Sequence, residues 1–130
     1  MSFDIALIID SIPKMLMGIG LTFQLLFLSL ALGTALGVML LILRISGRWY
    51  LSWPTMIYIY IFRGTPLLVQ IFIIYYGLPQ LEFVRDGIFW PILRELFGCA
   101  IVALTLNTGA YLSEIFRGGV LGVDRGLKEA

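Results

Sequence analysis

The chain has 130 residues, of which 60% are hydrophobic and 13% are charged, and its formal net charge is +1. An ordinary soluble domain is roughly 45–50% apolar and about 25% charged, so a soluble fold of this size could not bury this much apolar surface. Lipid is therefore the solvent for part of the chain. The near balance of 9 basic and 8 acidic residues gives no basic footprint for nucleic acid. With one cysteine and no histidine, neither a metal site nor a cofactor is expected.

Three apolar segments are each long enough to cross a bilayer, which takes about 20 residues. In chain order they are residues 15–43, residues 51–81 and residues 96–116. Because backbone in lipid must satisfy its own hydrogen bonds, all three are predicted to be helices. The predicted fold class is therefore all-α and integral membrane, with connections at residues 44–50 and 82–95 and a Gly-rich, charged tail after Arg117.

Lysine and arginine residues in the connections predict the orientation, because the more basic side of a membrane protein faces the cytoplasm. The first connection and the tail fall on one side of the membrane, and the N-terminal region and the second connection fall on the other. The first side holds five basic residues: Arg44, Arg48, Arg117, Arg125 and Lys128. The second side holds three: Lys14, Arg85 and Arg94. The N-terminus is therefore predicted to lie outside.

The second apolar segment contains a charge and two residues that disrupt helices. Pro66 lacks an N–H and disfavours the α conformation of the residue before it, and Gly64 lies close by, so a kink or break is predicted here. Arg63 must reach the interface, form an ion pair or face water. It either braces the broken helix or lines and gates a translocation path. Gln70 follows Arg63 by seven residues, which places both on one face of a continuous helix.

The third segment carries a polar stripe. Asn107, Tyr111, Glu114 and Gly118 recur at helical spacing and share one face, which should contact protein or a watery cavity. The stripe either forms interhelical hydrogen bonds or lines a pathway for a polar solute. Three partners are considered for the Glu114 carboxylate: Arg117, Arg63 and a cationic group of the solute.

Small residues recur every four positions in the first segment, at Ser29, Gly33 and Gly37. This spacing lets two helix backbones approach closely, so this face is predicted to pack on protein rather than on lipid.

Two longer motifs resemble a known family. Residues 62–70, FRGTPLLVQ, followed by YYGLP at residues 75–79, resemble the second-helix signature of the permeases of polar amino-acid ABC transporters. Residues 107–119, NTGAYLSEIFRGG, resemble the stretch that leads into the cytoplasmic coupling loop of those permeases. Residues 126–130, GLKEA, resemble the start of the EAA motif. Together the resemblance covers essentially the whole chain.

The resemblance implies that residues 1–130 are the N-terminal part of a permease domain that ends within the EAA motif. Three of about five spanning helices would then be present. It also implies roles for particular residues. Those expected along the substrate pathway are Gln70, Asn107, Tyr111 and Glu114. Those expected to begin the element that docks on the ATPase are Gly126, Glu129 and Ala130.

The implied partners are two ABC ATPase subunits, a second permease subunit (identical or homologous), a solute-binding protein and a polar amino acid, in the bacterial cytoplasmic membrane. ATP hydrolysis would belong to the ATPases. The 130 residues contain no GxxxxGK[ST] phosphate loop, and no residue is predicted to be catalytic.

Other functions remain open at this point. A small helical membrane adaptor would fit the three-helix length, and a secondary transporter also has broken helices with polar groups near the membrane midplane. The coupling-loop resemblance favours the ABC permease over both. An ABC permease for another solute, such as an osmolyte, is a third alternative, and the sequence does not identify the amino acid.

Overall fold

The structure is a computed structural model that describes residues 2–129, with side chains for residues 4–123 and for Gly126. Within these residues the chain forms helices and turns and no β-strand. Two helices are long and apolar enough to cross a membrane, and a bent pair of helices makes a third candidate span. The predicted all-α membrane fold is therefore confirmed.

Helix α1, Ser2–Ile45, is longer than the predicted first span. At about 1.5 Å per residue, its 44 residues extend for roughly 66 Å, well beyond the hydrocarbon core of a bilayer. Pro13 lies inside the helix and removes one backbone donor without ending it. Ser46 to Arg48 then form a turn, in which Gly47 takes a positive φ of 78° that glycine accommodates readily.

The second predicted segment is two elements rather than one. Helix α2, Trp49–Gly64, ends where Thr65 and Pro66 adopt extended conformations. The chain then turns by 109° into helix α3, Leu67–Phe72, which continues through a π-helical turn, Ile73–Gly77, and a 3₁₀ turn, Leu78–Gln80. The predicted break is confirmed. Because the axis changes direction, the expectation that Arg63 and Gln70 share one helix face is wrong.

Two short helices, α4 (Glu82–Arg85) and α5 (Trp90–Leu93), form the second connection. Helix α6, Leu96–Glu129, then continues past Phe116, where the sequence predicts the end of the third span. Each glycine beyond that point costs about 1 kcal/mol of helix propensity, but no proline follows that would block the backbone hydrogen bonds. The Gly-rich segment after Arg117 is thus helical as far as Glu129.

Helices α1 and α6 pack closely and run in the same direction. A Cβ atom placed on Gly33 would lie 2.7 Å from Cγ2 of Thr108, and one placed on Gly37 would lie 3.1 Å from Cβ of Leu112. Moving four residues along α1 therefore matches moving four residues along α6, which makes the helices parallel. Only small residues permit this approach, so the prediction that the small-residue face packs on protein is confirmed.

A small apolar core lies where α3 and the π-helical turn meet the start of α6. Its buried members are Ile74, Cys99 and Ala103. Most large apolar side chains elsewhere are exposed in the isolated chain, as expected where lipid or other membrane helices cover them. The core fixes α3 against α6 and so positions the polar side chains described next.

Candidate functional site: a polar junction at the helix break

The break between α2 and α3 leaves backbone carbonyls without their helical donors. In a continuous helix, the Phe62 carbonyl would accept a hydrogen bond from the residue at position 66, but Pro66 has no N–H. The side chain of Gln70 replaces that donor: its Nε2 donates to the Phe62 carbonyl at 3.0 Å and to the Thr65 carbonyl at 3.1 Å. Gln70 is buried, so this amide caps the end of α2 away from solvent.

The polar stripe of α6 completes the cap. Asn107 Nδ2 donates to the Phe62 carbonyl and to Gln70 Oε1, both at 3.4 Å. Four residues further along, the Tyr111 hydroxyl donates to the Arg63 carbonyl at 3.3 Å. The structure therefore brings Gln70, Asn107 and Tyr111 together at one place, and all three bond to the end of the broken helix.

A further tie between α2 and α6 was not predicted from the sequence. The Tyr58 hydroxyl donates to the Leu106 carbonyl at 2.7 Å, nearly two helical turns before the break. Its ring also lies 4.5 Å from the ring of Phe62. A tyrosine in an apolar helix was the feature of the sequence that could have indicated this bond. A buried tyrosine hydroxyl usually finds a hydrogen-bond partner.

Glu114 lies one turn beyond Tyr111 and is surrounded by guanidinium groups. Arg44 forms an ion pair with Oε1, and Arg63 and Arg117 lie 3.7 Å and 3.6 Å from Oε2. The Glu114 side chain is 21% exposed and that of Arg44 only 14%, so their attraction is weakly screened. Arg63 and Arg117, the two arginines considered from the sequence, both approach Glu114. Arg44 was not identified as a partner, because the sequence analysis placed it in the first connection.

The charges in this cluster do not balance. Three guanidinium groups face one carboxylate, which gives the four side chains a net charge of +2. Glu114 thus joins α1, α2 and α6 through ion pairs while leaving positive charge in excess. We use the name polar junction for the group formed by Arg44, Arg63, Gln70, Asn107, Tyr111, Glu114 and Arg117.

A cavity of about 320 Å³ opens beside the polar junction. Tyr60, Arg63, Gly64 and Tyr111 line it. The Arg63 guanidinium carbon lies 5.7 Å from the centre of the Tyr111 ring, within the range of a cation–π contact. A Cβ atom on Gly64 would meet nothing within 4 Å, so the backbone at the end of α2 is accessible there.

One of the predicted ATPase-docking residues, Gly126, lies on α6 outside the polar junction. Gly126 is exposed near the end of α6. The side chain of Glu129 and all of Ala130 lie outside the described residues. The structure therefore gives no contact for this group.

Several curated permeases are similar to this chain. The octopine transport system permease of Rhizobium meliloti is 49% identical over 130 residues, which are 100% of this chain and 53% of that protein. The arginine transport system permease of Bacillus subtilis is 39% identical over 130 residues, 100% of this chain and 56% of that protein. The histidine/lysine/arginine/ornithine transport system permease of Escherichia coli K12 is 42% identical over 114 residues, 87% of this chain and 48% of that protein. The chain spans about half the length of these relatives.

A solved structure agrees with these relatives. The crystal structure of an amino acid ABC transporter with histidines superposes on this chain with a TM-score of 0.78 and 33% sequence identity. The superposition covers 94% of this chain and 53% of the chain in that structure. A comparison with protein-family models gave no match. The fold and the polar junction define an integral membrane protein with polar groups between its spanning helices. The chain belongs to the family of amino-acid ABC transport permeases.

Proposed function

We propose that this chain is part of the membrane-spanning permease subunit of an ATP-driven importer, which translocates a polar amino acid delivered by a solute-binding protein. Two ATPase subunits and a second permease subunit, identical or homologous, would complete the transporter in the bacterial cytoplasmic membrane, with the N-terminus of the chain outside. The observation that carries the proposal is similarity to amino-acid permeases over the whole chain.

The names of the relatives narrow the substrate class. Two of them are named for basic amino acids, and arginine occurs in both names. We therefore take a basic amino acid as the first substrate to test, and L-arginine as its representative.

The polar junction supports a role in the translocation path. A charge within a membrane span is costly unless it is paired or faces water, and Glu114 lies in the α6 span beside both a cluster of cations and a cavity. We propose that Glu114, Asn107, Tyr111 and Gln70 border the path of the amino acid. The break formed by Arg63, Gly64 and Pro66 would act as its gate. Alternating access needs two packings of similar stability, and a capped helix break offers a place where the packing can change.

The end of α6 is proposed to contact the ATPase through Gly126, Glu129 and Ala130. Cysteines placed at residues 129 and 130 of the complete permease should crosslink to cysteines on the ATPase surface. Labelling of these cysteines by an impermeant thiol reagent from outside would contradict both the docking role and the proposed orientation.

A secondary transporter is the second candidate, because a broken helix with polar groups at membrane depth is also typical of ion-coupled carriers. Proteoliposomes that contain the complete transporter distinguish the two. Uptake of L-arginine that requires internal ATP and external binding protein, and persists when ion gradients are dissipated, is the expected result. Uptake that follows an ion gradient without ATP would overturn the ABC importer proposal.

A further inference from the structure

We propose that the cavity beside the polar junction binds the α-carboxylate of the transported amino acid, with Arg63 as the residue that contacts it. The inference rests on the proposed function and specifies one of its binding groups. It assigns to Arg63 a direct contact with substrate, in addition to its place at the helix break.

The excess charge of the polar junction is the first argument. Glu114 already faces Arg44, Arg63 and Arg117, which leaves a net charge of +2 in this cluster of partly buried side chains. Positive charge in a partly desolvated site attracts an anionic group, and a carboxylate matches the planar, forked donors of a guanidinium. A cationic group of the substrate would instead have to displace an arginine from Glu114. The local electrostatics therefore favour the carboxylate end of an amino acid.

The position of Arg63 distinguishes it from the other two cations. Its side chain is 47% exposed, compared with 14% for Arg44 and 38% for Arg117. Of the three, only Arg63 lines the cavity. Its distance of 3.7 Å from Glu114 Oε2 also exceeds that of an ideal charge-assisted hydrogen bond, so some of its five N–H donors remain for a ligand.

The backbone at the end of α2 suits the positively charged α-ammonium group of the same ligand. Gly64 is the last residue of α2, and the C-terminal end of a helix carries partial negative charge on its carbonyls. The open space around Gly64 allows a ligand to reach that backbone. An α-ammonium group there and an α-carboxylate on Arg63 would together satisfy a zwitterion, and a cavity of about 320 Å³ is large enough to take one.

The test compares an amino acid with its decarboxylated amine. The complete permease, assembled with its partner subunits and held in nanodiscs without the binding protein, is titrated with radiolabelled L-arginine and with agmatine. Both ligands carry a guanidinium group, but agmatine has no carboxylate. For Arg63→Gln we expect L-arginine binding to weaken by about tenfold or more, since it loses a charge-assisted contact. Agmatine binding should not weaken, because agmatine has no carboxylate and, as a dication, is repelled less once residue 63 is neutral.

Two further variants separate recognition from folding. Arg63→Lys keeps the charge but loses the forked geometry, so its L-arginine affinity should fall between those of the wild type and Arg63→Gln. Arg117→Gln removes a cation at a similar distance from Glu114 but outside the cavity, so it should weaken L-arginine binding by less than about twofold. Assembly of each variant is checked by its co-purification with the ATPase subunits.

An equal effect of Arg63→Gln on both ligands, or unchanged L-arginine binding, would overturn this inference even if wild-type uptake is driven by ATP. Failure of the wild type to take up any amino acid would instead contradict the proposed function itself. Selective loss of L-arginine binding in the Gln variant, with an intermediate Lys variant, supports the carboxylate site.

Discussion

Replacing Gln70 by methionine tests whether the helix break depends on its side-chain cap. The two side chains have similar shape, but methionine has no N–H donor. The substitution removes the bonds from Gln70 Nε2 to the carbonyls of Phe62 and Thr65, as well as the acceptor that Asn107 uses. Because Pro66 cannot supply the missing donor, the end of α2 loses its main cap.

The expected cost follows from those two donated bonds. Hydrogen bonds in membrane proteins contribute about 0.6 kcal/mol each on average, whereas a buried carbonyl left without a partner costs about 1–3 kcal/mol. Asn107 still reaches the Phe62 carbonyl, at 3.4 Å, which limits the loss. We therefore expect Gln70→Met to lower the free energy of unfolding by about 1–3 kcal/mol.

The assay is reversible denaturation of the complete permease in mixed micelles, followed by tryptophan fluorescence. Gln80→Met is the matched control, because Gln80 is exposed and its side chain donates only to a nearby carbonyl, that of Tyr76 four residues earlier. It should change stability by less than about 0.5 kcal/mol. Since Gln70 and Asn107 share an acceptor, the double variant with Asn107→Ala should show a coupling energy of at least about 0.5 kcal/mol. Equal stabilities of the Gln70 and Gln80 variants would refute the capping role.

Three further predictions concern helix packing and the ion pairs. Gly33→Ala should destabilise the permease by about 1 kcal/mol or more through its clash with α6, whereas Gly18→Ala, which meets nothing within 4 Å, should be neutral or stabilising; thermal unfolding of the two variants checks this contrast. Tyr58→Phe should cost about 0.5–1.5 kcal/mol in the same assay by removing the hydroxyl bond to α6. Glu114→Gln should reduce both the amount of folded permease and the uptake of substrate. Adding Arg44→Gln should restore part of the folded level, because one unpaired cation is then removed. Unchanged uptake by a fully folded Glu114→Gln variant would exclude Glu114 from the path.

The parts of the fold that depend on local chemistry were predictable. Pro66 and Gly64 predicted the break because a missing N–H acts wherever it occurs. The stripe of Asn107, Tyr111 and Glu114 was also visible, because helical periodicity alone places these residues on one face. The structure adds that the stripe faces the break.

The parts that depend on packing between distant helices were not predictable. Arg44 reaches Glu114 only because α1 and α6 run parallel in close contact, and the sequence alone does not give this relative position. The seven-residue spacing of Arg63 and Gln70 was misleading for the same reason, since it assumed one helix axis where the chain turns by 109°. The length of α6 was underestimated because glycine weakens a helix without ending it.

Whether the transported amino acid passes the cavity beside the polar junction is tested most directly by thiol labelling of Tyr60→Cys in the assembled transporter. Tyr60 lines the cavity and is 82% exposed, whereas the native Cys99 is buried and Ile88, the site of a control cysteine, is exposed in the second connection outside the cavity. A small impermeant thiol reagent should modify Tyr60→Cys, and saturating L-arginine should slow that modification, with no such protection at Ile88→Cys. A cysteine at position 60 that reacts from neither side of the membrane in any nucleotide state, or that reacts at a rate L-arginine does not change, would contradict a path through this cavity.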